Sequence, residues 1–313
     1  RKEGDLKLSI KSNVEYKFLK KKRKIDFNSV LNLRKFVKSN NVSFIHAHSS
    51  SFFLAFLLKL TYPKIKIVWH DHYGNSEFLE KRSFRALKLT SLLFFGIISV
   101  NERLKKWSDE KLWCNKVIFL PNFPELSAGL EQVTFLKGEN GKRILCLSNL
   151  RPQKNHFLVL SVAKLLKVSH PDWTFHFVGK DFKDEYSASI KKKIYEEALE
   201  ENVCLYGSCN DVAAILKQSS IGIITSFSEG LPVALLEYGN FALPVVSSSV
   251  GDIRIVLKHR INGILIPNFE VNNFYDAIVD LIDNIELRSL LGENLKNEIN
   301  KNYSNTTLSA SFS

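Results

Sequence analysis

The chain has no methionine in 313 residues and opens on Arg1, so an N-terminal piece ahead of it is expected. Cysteine is scarce: Cys114, Cys146, Cys204 and Cys209 form no C-x-x-C pair and show no disulfide or zinc spacing, which fits a reducing, cytoplasmic setting. No run of about twenty apolar residues occurs, and SSSFFLAFLLKL is too short to span a bilayer. No signal peptide follows Arg1. Acidic residues are scarce at one end: up to residue 136 there are 25 Lys and Arg against 12 Asp and Glu, and afterwards 19 against 20. The first part therefore carries +13 and the second −1, an asymmetry that suits an anionic partner such as nucleic acid or an anionic membrane face.

What is present is a globular composition, 45% hydrophobic, long enough for two domains. From residue 42 short apolar runs (VSFIHAHS, IKIVWHDH, GIISVN, KVIFLPN) alternate with helical stretches at 50–60, 77–93 and 101–110. PNFPELSAGLEQVTFLKGENGK breaks the rhythm as a linker does. A second series follows, with strands RILCLSN, WTFHFVG, NVCLYG, IGIITS, LPVVSS and GILIP and helices near 155–168, 183–201, 210–219, 232–240 and 252–258. Near-continuous apolar strands with intervening helices predict parallel sheets covered on both faces. The expected class is α/β, with two Rossmann-like domains: 1–120, a linker over 121–141, and 142–313. Ligands are expected beyond the carboxyl ends of the strands.

SFSEGLPVALLEYGNFALPVV, residues 226 to 246, sets Glu229 and Glu237 eight apart in one of the most apolar parts of the chain. A buried carboxylate must be paired, hydrogen-bonded or held for a ligand. Pro232 reads as the first position of a helix, and Gly230 allows a close turn. The amides from Gly230 to Val233 would then form a phosphate or sugar-hydroxyl site. Glu237, more than a turn into that helix, suits a ribose diol; the alternative is that Glu237 ties down a loop and Glu229 caps a turn. LSNLRPQKNH places the cations Arg151 and Lys154 after the first strand of the second domain, either as partners for a leaving diphosphate or as solvated loop charges. His46 and His48 end one strand and His70, Asp71 and His72 the next. A metal would need a third ligand that is not evident in the sequence. His46 reads as a satisfied core histidine.

Glu229-Gly-Leu-Pro with Glu237, followed by LLEYGNFALPVVSSSVGDIRIVL and NGILIP, resembles the nucleotide-sugar site of family 4 retaining glycosyltransferases of GT-B fold. The likeness includes Gly251 and Asn262-Gly263 and extends over residues 42 to 270. It implies two domains facing across a cleft and transfer with retention, from a UDP- or GDP-sugar to a glycan or lipid-linked glycan. Catalytic roles would fall to His70, Arg151, Lys154 and Glu229. The donor would be held by Gly230, Leu231, Pro232 and Glu237, with Asn149 standing where the family usually has an arginine. His48, Asp71 and Tyr73 would line the acceptor side. No cofactor and no metal are expected, and the chain has no D-x-D motif. The strand and Gly-rich loop that open the family's first domain are not found before residue 42.

KFLKKKRK near 17–24, and Lys81, Arg82, Arg85 and Lys88 interleaved with Phe78, Leu79, Phe84, Leu87 and Leu92, read either as a basic face for an anionic membrane or as solvated charges outside a packed helix. Nucleic-acid binding has the charge in its favour but no recognition-helix, zinc-finger or RNA-recognition signature. An epimerase, a phosphorylase or a non-catalytic scaffold of the same fold are nearer alternatives.

Overall fold

The computed structural model describes residues 7, 10–23, 25–74, 76, 78–122 and 132–303. Much of the 121–141 linker, at 123–131, and Lys24 of the basic run lie outside the described residues. The chain divides into two compact units, Arg1–Tyr73 with Phe78–Leu120, and Gly74–Glu77 with Pro121–Ser313.

The first unit runs α1 (Phe27–Ser39), β1 (Phe44–His48), α2 (Phe52–Thr61), β2 (Lys66–Asp71), α3 (Arg85–Ser91), β3 (Phe94–Ser99), α4 (Glu102–Lys111) and β4 (Val117–Phe119). The strands form a parallel sheet in the order β1-β2-β3-β4. Ala47, Ile67, Trp69 and Ile97 project from one face into a core shared with Ala55 of α2, Leu87 of α3 and Trp107 of α4. On the other face Phe44, His46, His48 and Phe95 are exposed among the described residues, so this sheet is covered on one side rather than on both as expected. Helix α1 falls before the alternating pattern begins at residue 42. Its start is nonetheless written locally: Asp26 caps it, accepting from Ser29 N at 3.1 Å. The helix expected over 77–93 is shorter, a single turn at Leu79–Lys81 and then α3.

The second unit contains β5 (Arg143–Leu147), α5 (His156–Ser169), β6 (Thr174–Val178), α6 (Glu185–Glu196), β7 (Val203–Gly207), α7 (Val212–Lys217) and β8 (Ile221–Ile224). It continues through α8 (Val233–Asn240), β9 (Val245–Ser248), α9 (Ile253–Val256), β10 (Ile264–Ile266), α10 (Val271–Asp283) and α11 (Ile285–Asn302). All six strands are parallel, in the order β10-β9-β8-β5-β6-β7. Alternation along β5 sends Ile144 and Cys146 into a core with α5, α6 and α10, and Leu145 into a second core with α8 and α9. Chain order reverses between β5 and β8, and the helices that follow them, α5 and α8, pack into different cores; this is where α/β sheets receive ligands.

Candidate functional site: a carboxylate–ammonium pair at the switch point of the second sheet

The loop leaving β5 and the loop leaving β8 are stitched together by backbone groups that the ends of the strands leave unpaired. Phe227 N donates to Gln153 O at 2.9 Å, Gln153 Nε2 to Ser228 O at 2.8 Å, and the Thr225 hydroxyl to Lys154 O at 2.9 Å. The Ser248 hydroxyl, from the end of β9, donates to Ser226 O at 2.8 Å. These bonds carry Lys154 to Glu229: Nζ donates to Oε1 at 2.5 Å, and the Ser226 hydroxyl donates to the same oxygen at 2.6 Å. Glu229 is buried at 6% exposure, so Lys154 is the counterion that makes its ionised form tolerable there. A cavity of about 10 Å³ beside them, lined by Ser148, Lys154, Ser226, Glu229 and Pro232, has room for a single water.

Pro232 is the N-cap of α8, extended at φ −70° and ψ 129°, one position earlier than expected; the helix begins at Val233. The reason is its ψ, which is not helical although proline's φ is. Upstream, the carbonyl side of the Glu229–Leu231 segment is occupied. Gly251, at φ +53°, lies so close that a Cβ there would sit 1.9 Å from Glu229 O, and Asp252 N donates to Gly230 O at 3.2 Å. A trans peptide points its N–H opposite its carbonyl, so the amides of Gly230 and Leu231 are turned away from that support. Together with Val233 N they have no acceptor among the described residues, and they sit at the positive end of α8.

Tyr238 sets the rotation of α8. Its hydroxyl donates to Leu145 O at 2.9 Å and accepts from Leu147 N at 2.8 Å. Strand β5 pairs with β8 only at Ile144 and Leu145, so Leu147 N has no strand partner on that side. The tyrosine reaches it across Gly222, where a Cβ would lie 2.8 Å from the ring. Glu237, the preceding residue, is half-buried and makes no hydrogen bond or ion pair among the described residues; loss of hydration raises its pKa above the ordinary glutamate value. The alternative in which it ties down a loop is therefore not what the structure shows. Asn262 does perform such a task, closing the turn before β10 by accepting from Lys258 N at 2.6 Å and donating to Val256 O at 2.9 Å.

The other two residues expected here stand apart from the pair. Asn149 accepts from Lys180 N at 2.7 Å and holds the loop after β6, while the Arg151 guanidinium is exposed and lies over Phe182, 4.6 Å from the ring centre. Below them His156 is fully buried between the Ser148 hydroxyl (2.9 Å) and Tyr186 (3.2 Å), and burial pushes its pKa down to about 4.

In the first unit the histidines gather. His46 is exposed, not a core residue, because β1 turns that side of its pleat to the uncovered face. Its Nε2 lies 3.2 Å from Nδ1 of His70, which is 9% exposed and held down to about pKa 3 by burial and then by His72, His46 and His48. His48 Nδ1 lies 2.9 Å from His72 Nε2. Asp71 departs from its expected acceptor-side role: it is 1% exposed, and both its oxygens accept from Arg82, at 2.7 and 2.9 Å. Alternation along β2 sends Asp71 to the helix-covered face, opposite His70. Arg82 is accordingly no surface cation; its guanidinium lies 4.3 Å from the ring centres of both Tyr73 and Trp107. Sequence reasoning missed the roles of Ser226, Tyr238 and Arg82, although Ser226 and Tyr238 lie inside the quoted stretch around Glu229 and Glu237 and Arg82 inside the basic segment.

Two parallel-sheet α/β units, one with a lysine–glutamate pair and open helix-start amides at its switch point, define a glycosyltransferase of GT-B fold. The family model for glycosyl transferases group 1 matches residues 127–298, and the chain belongs to that family. It is 24% identical over 299 residues to the UDP-Gal:alpha-D-GlcNAc-diphosphoundecaprenol alpha-1,3-galactosyltransferase of Escherichia coli, covering 88% of this chain and 75% of that protein. It is 27% identical over 264 residues to an uncharacterized glycosyltransferase of Haemophilus influenzae, covering 83% of this chain and 72% of the relative. Among solved structures, Anabaena HepE in complex with UDP and glucose has a TM-score of 0.77 at 15% identity, covering 91% of this chain and 80% of that one. TarM has a TM-score of 0.74 at 20% identity; the match covers 91% of this chain but 57% of TarM. No helix among the described residues is long and apolar enough to cross a membrane.

Proposed function

We propose that the chain moves a hexose-type sugar from a UDP- or GDP-sugar to a glycan or lipid-linked glycan, with retention of configuration. The observation that carries this reading is Glu237: a half-buried carboxylate without a hydrogen bond among the described residues, one turn behind open amides. A ribose diol offers it two donors, which offset the lost hydration. The nucleotide's phosphates then fall toward the amides of Gly230, Leu231 and Val233.

Lys154 has three N–H donors, of which Glu229 takes one, so two remain for the diphosphate as the glycosidic bond breaks. Glu229, itself held by the Ser226 hydroxyl, fixes that ammonium in place before the donor arrives, which limits reorganisation during transfer. Arg151 adds a second positive charge from the exposed loop. The roles that the resemblance gives His70, His48 and Tyr73, at the donor sugar and on the acceptor side, belong to the same reading. A diphosphoundecaprenol-linked acceptor in the name of the E. coli relative supports a lipid-linked acceptor, and UDP in that name and in the HepE complex favours uracil over guanine.

The test is incubation with UDP- and GDP-sugars, reading release of nucleoside diphosphate. Release above background from one donor, lost in Glu237→Ala and in Lys154→Ala, is expected. Unchanged donor binding and turnover in both variants would remove the site assignment. Peripheral attachment at the cytoplasmic membrane face belongs to the same reading, supported by the basic run at 17–23. Salt-sensitive cosedimentation with anionic liposomes is its check.

A further inference from the structure

The carboxyl ends of β1 and β2 hold four histidines. A strand's period of two puts His46 and His48 on one face, and His70 and His72 likewise share a side. The parallel register sets His48 directly opposite His70. The rings crowd accordingly: His46 and His70 stack 5.1 Å apart at 6°, and His70 and His72 have ring centres 4.0 Å apart. One nitrogen from each of His46, His48 and His70 lies within 4.8 Å of the others. The third ligand that the H-x-H segment lacks in sequence is thus brought in by the neighbouring strand.

The spacing of this cluster is compatible with an ion. The 3.2 Å separation of His46 Nε2 and His70 Nδ1 compares with about 3.3 Å between ligand nitrogens around a tetrahedral zinc with bonds of about 2.0–2.1 Å. Among the described residues no carboxylate joins the set, both Asp71 oxygens being taken by Arg82, and an all-imidazole donor set suits zinc, nickel or copper rather than magnesium or calcium.

We propose that His46, His48 and His70 bind one divalent transition-metal ion of the zinc class, with a fourth position open to solvent. His72, hydrogen-bonded to His48 Nδ1, orients that ring and leaves its Nε2 for the ion. Binding moves the remaining proton of each ligating imidazole to its other nitrogen, so the ligands stay neutral and no redox partner is required. The bound ion takes Nδ1 of His70, the nitrogen that faces His46. The inference uses His48 and His70, which the proposed function also uses, but its test needs no donor, acceptor or turnover, so failure of the site and failure of the transfer reading are distinguishable.

The experiment is titration of the full untagged chain with Co²⁺ and with Zn²⁺ in a non-coordinating buffer. One ion per chain is expected, giving the absorption of tetrahedral cobalt, which zinc displaces. Combined His46→Gln and His48→Gln should weaken binding about tenfold or more, whereas His170→Gln with His259→Gln should leave it within about twofold. His46→Gln alone, at an exposed position, supplies a variant whose folding is readily verified by circular dichroism and which should already weaken binding. Absence of saturable binding to the wild type overturns the site, as does equal binding by the cluster variants or an equal loss in the His170 and His259 pair.

Discussion

Glu237 and Glu229 sit eight residues apart in one apolar stretch and solve the problem of burial differently. Glu229 has a cation and a hydroxyl; Glu237 has neither, and its folded-state pKa lies above its unfolded one. Below the ordinary glutamate pKa both states are protonated and there is no penalty; as pH rises through the folded pKa the folded state must ionise a poorly hydrated group and loses stability. Glu237→Gln is therefore expected to raise Tm at pH 7, to lose that gain below about pH 4, and to weaken donor binding. Denaturation scans at both pH values, beside nucleotide binding, check all three. Lys154→Met leaves Glu229 buried without its counterion and should cost about 2–3 kcal/mol, discounted because the lysine is 23% exposed. Adding Glu229→Gln should recover much of that loss, and a urea-denaturation double-mutant cycle measures the coupling. At this scale the sequence singled out all three charged residues. It did not reveal which acid was paired, because Lys154 and Glu229 are 75 residues apart and meet only through the strand order.

At the scale of elements, α8 matters through its rotation. Its apolar content predicts a helix, but the direction of Glu237 depends on Tyr238 binding Leu145 O and Leu147 N. Tyr238→Phe strands both backbone groups in the interior and should destabilise by about 1–3 kcal/mol. Because the ring still fills its place, donor affinity is expected to fall with little change in secondary structure, read by nucleotide titration against far-ultraviolet dichroism. The start of α8 was legible from Gly230 and Pro232 to within one residue. Helices α1, α10 and α11 escaped the expectation, α1 despite its Asp26 cap, because the alternating strand pattern drew the reading to residues 42 to 270. The basic face imagined over 77–93 failed at Arg82: a cation beside apolar residues looks solvent-facing until a buried acid such as Asp71 comes to it from another element.

Across the whole molecule, two buried histidines couple stability to pH. His156 and His176 are held near pKa 4 chiefly by desolvation, the first also by Lys154 and the second by Arg143. Each is fully buried and hydrogen-bonded to hydroxyls, His156 to Ser148 and Tyr186, His176 to Thr174 and Tyr206. The unfolded chain takes up those protons first, so stability is fully present above about pH 6.5 and is lost as pH falls toward 4, by on the order of 3 kcal/mol per histidine. Calorimetric Tm values from pH 7 to 4 should drop steadily; a flat profile would contradict the assignment.

The sequence by itself determined the α/β alternation, the ten strands of the described residues and the motif that resembles glycosyltransferases, because these are written in local periodicity and short spacings. Tertiary structure alone decided which groups meet: the Lys154–Glu229 pair, the unpaired state of Glu237, the Asp71–Arg82 bond and the crowding of His46, His48 and His70. Strand order and register bring together residues far apart along the chain, and neither is encoded in the spacing of any one segment.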